Sequence, residues 1–254
     1  MINTFHRVGT GPHPVIVLHG WFGGARSFAP IEPALDGNRF TYVFMDYRGY
    51  GDMQAAGGDY TFDEIANDTL ALADALGFDT FSLIGHSMGG AASERVAMLA
   101  PERVRMLIPV APVPSCGVVL DDSRRALFES AAKRVEIRQA IIDRSTGNRL
   151  PAIWTRSKAA YSWAHSSPHA FGAYMKAWSR GGFSESVKGA AYPVRVLIGE
   201  HDPVYDAALM NATYLAWYPD STLEVLPNAG HYPMDEVPLA LVASVERYLR
   251  ERPQ

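Results

Sequence analysis

The sequence has one cysteine, Cys116, in 254 residues. That excludes an internal disulfide framework and a metal site built from cysteines. No apolar run reaches membrane-spanning length, and the first residues, Met1-Ile2-Asn3-Thr4-Phe5-His6-Arg7, form no apolar signal region. The default expectation is therefore a cytoplasmic protein with no membrane partner. Long runs of one charge are missing too. The 23 basic and 27 acidic side chains leave a formal charge of −4, which suits neither nucleic acid nor an anionic membrane. No internal repeat and no low-complexity tract occurs. What remains is 48% hydrophobic and 20% charged, ordinary for a soluble globular chain. The length allows one large domain, or a domain with an inserted lid.

The stretch with the most chemistry in it is Ser82-Leu83-Ile84-Gly85-His86-Ser87-Met88-Gly89-Gly90. The apolar run Phe81 to Ile84 reads as a buried strand, and Ala91 to Ala100 reads as helix. Between them lies Gly85-x-Ser87-x-Gly89, a nucleophile-elbow pattern in the strand–turn–helix context that it needs. Such a turn strains the serine backbone. It also brings strand and helix so close that the flanking positions have no room for a Cβ. The Ser87 hydroxyl is lifted clear of the sheet, and the N–H groups after it lie at a helix N-terminus, where negative charge is stabilised.

On these residues the chain resembles the α/β-hydrolase superfamily, in particular its small serine esterase, lactonase and carbon–carbon-bond hydrolase branch. The resemblance implies a mostly parallel α/β sheet with helices on both faces and an inserted helical cap. It also implies roles for further residues. Val15 to Leu18 reads as a strand buried on both faces, and His19-Gly20-Trp21-Phe22 follows it. In the family, the residue after His-Gly supplies one oxyanion N–H, here Trp21, with Phe22 as the fallback. The residue after the nucleophile, Met88, supplies the other. Two such donors would stabilise the charge of a tetrahedral intermediate. His19 reads as bracing this loop. Asp46 and Arg48, in Asp46-Tyr47-Arg48-Gly49-Tyr50-Gly51-Asp52, read as turn-bracing, with Asp52 where the family usually has serine.

The order Ser87, Asp202, His231 matches the family's serine–acid–histidine order, and each residue follows a predicted strand. In parallel sheets that edge is where distant residues converge. His231 stands between Gly230 and Pro233 in a loop past the last strand, and is the expected general base. His86, inside the elbow, is expected to point away from the attack, and His201 to line the surface. Some relatives place the acid after the preceding strand, but Ala111 to Gly117 has no carboxylate. Asp202 is therefore expected as the acid, with Glu200 in reserve. Cys116 is expected to be buried and inert.

Along the chain, residues 1–14 leave room for one short hairpin. Ser27 to Leu35 can form a short helix, and Tyr42 to Met45 a strand. Thr61-Phe62-Asp63-Glu64 is a capping box for an amphipathic helix that Gly77 stops. Val104 to Val110 reads as strand. From about Ser115 to Ala190 the strand–helix alternation lapses. Helices are expected at Ser123 to Ile142, at Pro151 to Ala164, and from Ser167-Pro168 to Gly181. Three parts follow: a first core segment over 1–114, a cap over 115–190, and a second core segment over 191–254. Strands are expected at Val194 to Ile198 and Thr222 to Leu226, a helix over Asp206 to Trp217, and a last helix capped by Asp235.

The cap segment holds Trp154, Trp163, Trp178 and Phe183, more rings than so small an insert can hide. These four and Phe22 are the expected substrate-contacting residues, forming an apolar pocket with few polar anchors. Gly181-Gly182 is the candidate hinge. The expected activity needs no cofactor and no metal. It is serine hydrolysis of a small ester or lactone with an apolar group. The alternatives are carbon–carbon-bond hydrolysis or perhydrolysis with the same residues, or a slow-turnover small-molecule receptor. A serine at position 87 argues against dehalogenase and epoxide hydrolase chemistry, which need a carboxylate nucleophile. The oligomeric state is left open.

Overall fold

The computed structural model describes residues 1–251. Among them, seven strands form one sheet: β1 (Phe5–Val8), β2 (His13–Leu18), β3 (Phe40–Met45), β4 (Phe81–His86), β5 (Val104–Val110), β6 (Val194–Gly199) and β7 (Ser221–Leu226). Their order is β1-β3-β2-β4-β5-β6-β7. Only β1 is antiparallel; it pairs with β3, from Phe5 opposite Met45 to Val8 opposite Tyr42. The expected terminal hairpin is thus absent. The chain after β1 crosses to β2, two places into the sheet, because β2 carries the unbroken apolar run that belongs in the centre.

The central strands are apolar on both faces, and every residue of β3 and β4 is buried. Helices cover both faces. On one of them α1 (Phe62–Ala75) starts as its capping box predicts, with the Thr61 side chain accepting from the Glu64 N–H. It packs beside α2 (Met88–Leu99), the helix of the elbow. The terminal helix α10 (Pro238–Arg250) carries Glu246, which accepts from the Tyr42 hydroxyl and the Asp36 N–H.

The chain order reverses direction across the sheet between β2 and β4. A crevice opens at the carboxyl ends of strands at such a point. The loop after β2 and the elbow after β4 therefore meet there. Asp202 follows β6 and His231 follows β7 at the same edge.

Between β5 and β6 lie four further described helices: α3 (Asp122–Ser130), α4 (Val135–Ser145), α5 (Ala152–Ala164) and α6 (Pro168–Arg180). The single helix expected over Ser123 to Ile142 is broken in two. Arg138, wholly buried, donates from Nε to the Ala131 carbonyl at 2.9 Å. That carbonyl, one residue past α3, bonds to a side chain where a continuing helix would place a backbone N–H. Nη1 of Arg138 also reaches the Ser162 carbonyl at 2.8 Å and Ser166 Oγ at 2.8 Å, and its guanidinium lies 3.6 Å from the Phe171 ring centroid. The insertion begins and ends at one junction: the Ser115 carbonyl accepts from the N–H of Gly182 at 2.9 Å. Gly181 sits there at φ +56°, and a Cβ on it would lie 2.2 Å from the Gly117 nitrogen, so only glycine fits.

Other expectations are corrected. Cys116 is exposed beside this junction rather than buried. Ala25–Phe28 and Glu32–Ala34 are two 3₁₀ turns in place of one helix. The helix expected over Asp206 to Trp217 is α7 (Ala207–Ala212) and α8 (Tyr214–Trp217), parted at Thr213, whose φ and ψ of −118° and −95° are not helical. Asp235 does not cap α10. It lies within the short helix α9 (Pro233–Glu236), and its side chain is engaged elsewhere.

Candidate active site

The elbow has the strain its glycines imply. Ser87 adopts φ 53° and ψ −117°, a left-handed conformation that costs a non-glycine residue about 1–3 kcal/mol. A Cβ on Gly85 would lie 2.2 Å from the Gly89 carbonyl oxygen, and one on Gly89 would lie 2.3 Å from that of Leu18. The turn is held by the Ser87 N–H donating to Val110 and by the Ser87 carbonyl accepting from Gly90 and Val113.

The structure brings Ser87, His231 and Asp202 together across separations of 29 to 144 residues. Ser87 Oγ is 3.0 Å from His231 Nε2, and His231 Nδ1 is 2.7 Å from Asp202 Oδ2. All three are buried. The other oxygen of Asp202 accepts from the N–H groups of Val204 and Tyr205, each at 3.0 Å, which fixes the carboxylate plane. With the carboxylate accepting from Nδ1–H, Nε2 is left to accept the serine proton. Glu200, the reserve acid, instead takes the Asn228 N–H on an exposed edge.

Beside Ser87 runs the loop after β2. A Cβ on Gly20 would lie 2.8 Å from His86 Nδ1 and 3.1 Å from Ser87 Cβ, so glycine is what lets this loop approach the serine. His19 braces it as expected, with Nδ1 donating to the Gly20 carbonyl and Nε2 accepting from the Tyr47 N–H. Burial pushes its imidazole down to about 4, so it stays neutral. Asp46 takes the Ala25 N–H at 2.8 Å, and Arg48 forms a two-pronged ion pair with Asp68. Among the described residues, no intramolecular hydrogen bond uses the N–H of Trp21, Phe22 or Met88.

His86 departs from expectation. Its ring lies 5.0 Å from that of His231 and lines the cavity in front of Ser87. Nε2 donates to the His231 carbonyl at 2.7 Å. Burial, then the neighbouring His231, holds this imidazole well below the usual histidine range, so it acts as a neutral strut under the His231 loop.

The cavity is walled by Trp21, Phe22, Tyr232 and Met234, with Lys158 reaching in from α5. Its free space holds about one water molecule.

Of the predicted substrate-contacting residues, Phe22 lines this cavity. Trp154 packs behind it on Tyr232 at 5.6 Å, and Trp178 on Trp21 at 5.4 Å. Trp163 and Phe183 are not at the cavity. Trp163 is 39% exposed and stacks with Arg138, while Phe183 packs on Phe62 and Arg95 near the junction. The rings of the insertion mainly join it to the core, because the loop rings Trp21 and Phe22 already occupy the space above the serine. Phe171, another ring of the insertion expected to pack on the core or face the cleft, stacks on Trp21 at 4.1 Å, and its carbonyl accepts from Trp21 Nε1. Its i+3 and i+7 partners Tyr174 and Trp178 are buried with it on one face of α6.

Comparison with known proteins agrees with this architecture. A family model for the alpha/beta hydrolase fold matches residues 13–238. The chain is 26% identical over 246 residues to Esterase YbfF of Escherichia coli, covering 94% of this chain and 93% of that protein. It is 26% identical over 245 residues to the dihydrolipoyllysine-residue acetyltransferase component of the acetoin cleaving system of Pseudomonas putida, covering 91% of this chain but only 62% of the longer relative. Among solved structures, an esterase from Exiguobacterium antarcticum superposes with a TM-score of 0.86 at 20% identity, over 97% of this chain and 94% of its own. With its sheet order, its elbow and a family match spanning most of its length, this chain belongs to the alpha/beta hydrolase fold family.

Proposed function

We propose that the protein is a serine hydrolase that cleaves a small ester or lactone through an acyl-enzyme. The observation that carries this is the continuous hydrogen-bonded line from Ser87 Oγ through His231 to Asp202, at 3.0 and 2.7 Å. A serine hydroxyl is a weak nucleophile until a base takes its proton, and His231 Nε2 is the base within reach. Ser87 Oγ attacks the ester carbonyl as its proton passes to His231. The developing oxyanion is met by the free N–H groups of Trp21 and Met88. His231 then gives the proton to the leaving alkoxide, leaving an ester on Ser87. Water, deprotonated by His231, attacks that ester, and collapse releases the acid and restores the serine. Asp202 holds the imidazole tautomer and stabilises the imidazolium.

The helices between β5 and β6 serve in this reading as a lid. With room for about one water in front of Ser87, an ester enters only when the cavity widens, and α5 is the helix of the insertion that reaches it, through Lys158. The name of the Escherichia coli relative, an esterase of nearly the same length, supports the reaction class.

The test is steady-state turnover of p-nitrophenyl esters and simple lactones. Ser87→Ala should lose about three to six orders of magnitude in turnover while keeping its circular dichroism spectrum. Near-native turnover by the purified variant would sink the mechanism. A burst followed by stalled turnover in the unaltered protein would point to a receptor instead.

A further inference from the structure

Lys158 is the one permanently charged side chain lining the cavity among the described residues. It comes from α5, and its side chain is only 10% exposed. Nζ donates to Asp235 Oδ2 at 2.6 Å and lies over the rings of Tyr232 and Trp154, at 5.2 and 5.8 Å from their centroids. Asp235 is its one hydrogen-bond partner among the described residues. An ammonium group has three N–H donors. Two are therefore unspent, on a group that borders the cavity above Ser87, whose other lining side chains carry no permanent charge.

We propose that Lys158 is the specificity-determining anchor of this site, donating a hydrogen bond to a second oxygen on an uncharged substrate. The proposal rests on the serine hydrolase reading and names its substrate class: esters or lactones that carry a further keto, amide or ester carbonyl. The charge balance excludes the obvious alternative, a counterion for an acidic substrate. Asp235 already pairs with the lysine, and Asp202 sits behind His231 as a second carboxylate beside the cavity. A substrate carboxylate would have to be desolvated into a site that offers it no net positive charge. A neutral carbonyl meets no such repulsion, and it satisfies a donor that an all-apolar substrate would leave unpaired as it displaced water. When α5 is closed, the Tyr232 and Trp154 rings beside the ammonium restrain its position, so the donor meets the substrate at a fixed place.

The experiment uses three p-nitrophenyl esters of nearly equal shape: valerate, levulinate (a carbonyl in place of a methylene) and hemisuccinate (a carboxylate at the same place). The unaltered protein should favour levulinate over valerate by about tenfold or more in kcat/KM, the scale of one charge-assisted hydrogen bond. Hemisuccinate should be the poorest of the three. In Lys158→Met the levulinate-to-valerate ratio should fall to about one, and Lys158→Arg should keep part of it. Asp235→Asn, which leaves the lysine unneutralised, should raise hemisuccinate relative to levulinate. The same ratios are to be read as binding constants by calorimetry on Ser87→Ala, alone and combined with Lys158→Met. The binding arm reads the anchor even if the protein turns over no ester, which would defeat the serine hydrolase reading alone. An unchanged levulinate preference in Lys158→Met overturns the anchor, since a lysine that merely held α5 in place would affect both esters alike. So does a preference for hemisuccinate in the unaltered protein.

Discussion

Asp202 uses both its oxygens, one on His231 and one on two backbone N–H groups. This makes it an orienting group rather than a movable one. Asp202→Asn keeps the shape but presents an amide where Nδ1–H needs an acceptor, so the imidazole turns to the wrong tautomer. The expected loss in turnover is on the order of 10⁴. Glu200→Gln, which touches only the exposed Asn228 N–H, should cost less than tenfold. Turnover of the two variants on one ester decides between them, and the reverse order would move the acid to Glu200. These residues were legible because each declares itself locally: a serine between spaced glycines, an acid and a histidine just past apolar runs. Lys158 and Asp235 were not. They are 77 residues apart, and a lysine on a helix reads as solvated while an aspartate near Pro238 reads as a cap. His86 was misread for a related reason: strand alternation gives the direction of a side chain but says nothing of the loop that closes over it.

One buried side chain, Arg138, joins three helices of the insertion. Arg138 ties the end of α3 to the last turn of α5, and its guanidinium lies on Phe171 of α6, which in turn stacks on Trp21. It has no acidic partner among the hydrogen bonds it makes, and one nitrogen, Nη2, finds no partner at all among the described residues. Burial lowers this guanidinium to about 10, still well above neutrality, so it remains charged. Arg138→Ala removes charge-assisted hydrogen bonds to buried carbonyls. It should destabilise the insertion by about 2–4 kcal/mol. Limited proteolysis should then cut within residues 116–181 before the sheet is touched. An unchanged digestion pattern would show that the guanidinium does not join these helices. No pattern in the sequence announces this residue. A buried arginine bonded to carbonyls and hydroxyls looks like any basic residue on an amphipathic helix. For the same reason the break between α3 and α4 was invisible to periodicity, while the Ser167-Pro168 start of α6 was plain from its cap.

At the scale of the whole molecule, the sheet is held to the insertion's junction by Glu94 of α2. It is fully enclosed and accepts from the N–H and hydroxyl of Ser115 and from the hydroxyls of Tyr214 and Tyr218. Burial raises its carboxyl to about 7 against these hydrogen bonds, which pull the other way. The folded protein therefore holds a proton that the unfolded chain, at the usual 4.5, has released. Stability should fall as pH rises from about 4.5 to about 7 and level off above, with a slope of at most about 1.4 kcal/mol per pH unit from this group. Urea melts of the protein and of Glu94→Gln across that range should differ in slope, with the variant flatter. Parallel slopes would mean that Glu94 is ionised in both states.

The junction itself has a consequence for ancestry. At Ser115, shortly after β5, and at Gly182, before β6, the two ends of the helical segment are one hydrogen bond apart. A segment whose ends nearly touch can be exchanged for another of different length without shifting either neighbouring strand. Ser87, Asp202 and His231 all stand outside it, and Lys158 stands inside. On the proposed reading, the chemistry and the choice of substrate are carried on separable lengths of gene, so that one could diverge while the other is kept. Outright loss is a different matter. Trp21 and Tyr50 are buried partly against Phe171 and Tyr174 of α6, and without a successor segment they would face water as a sticky aromatic patch. Descendants of this chain can replace the insert, but they cannot simply drop it.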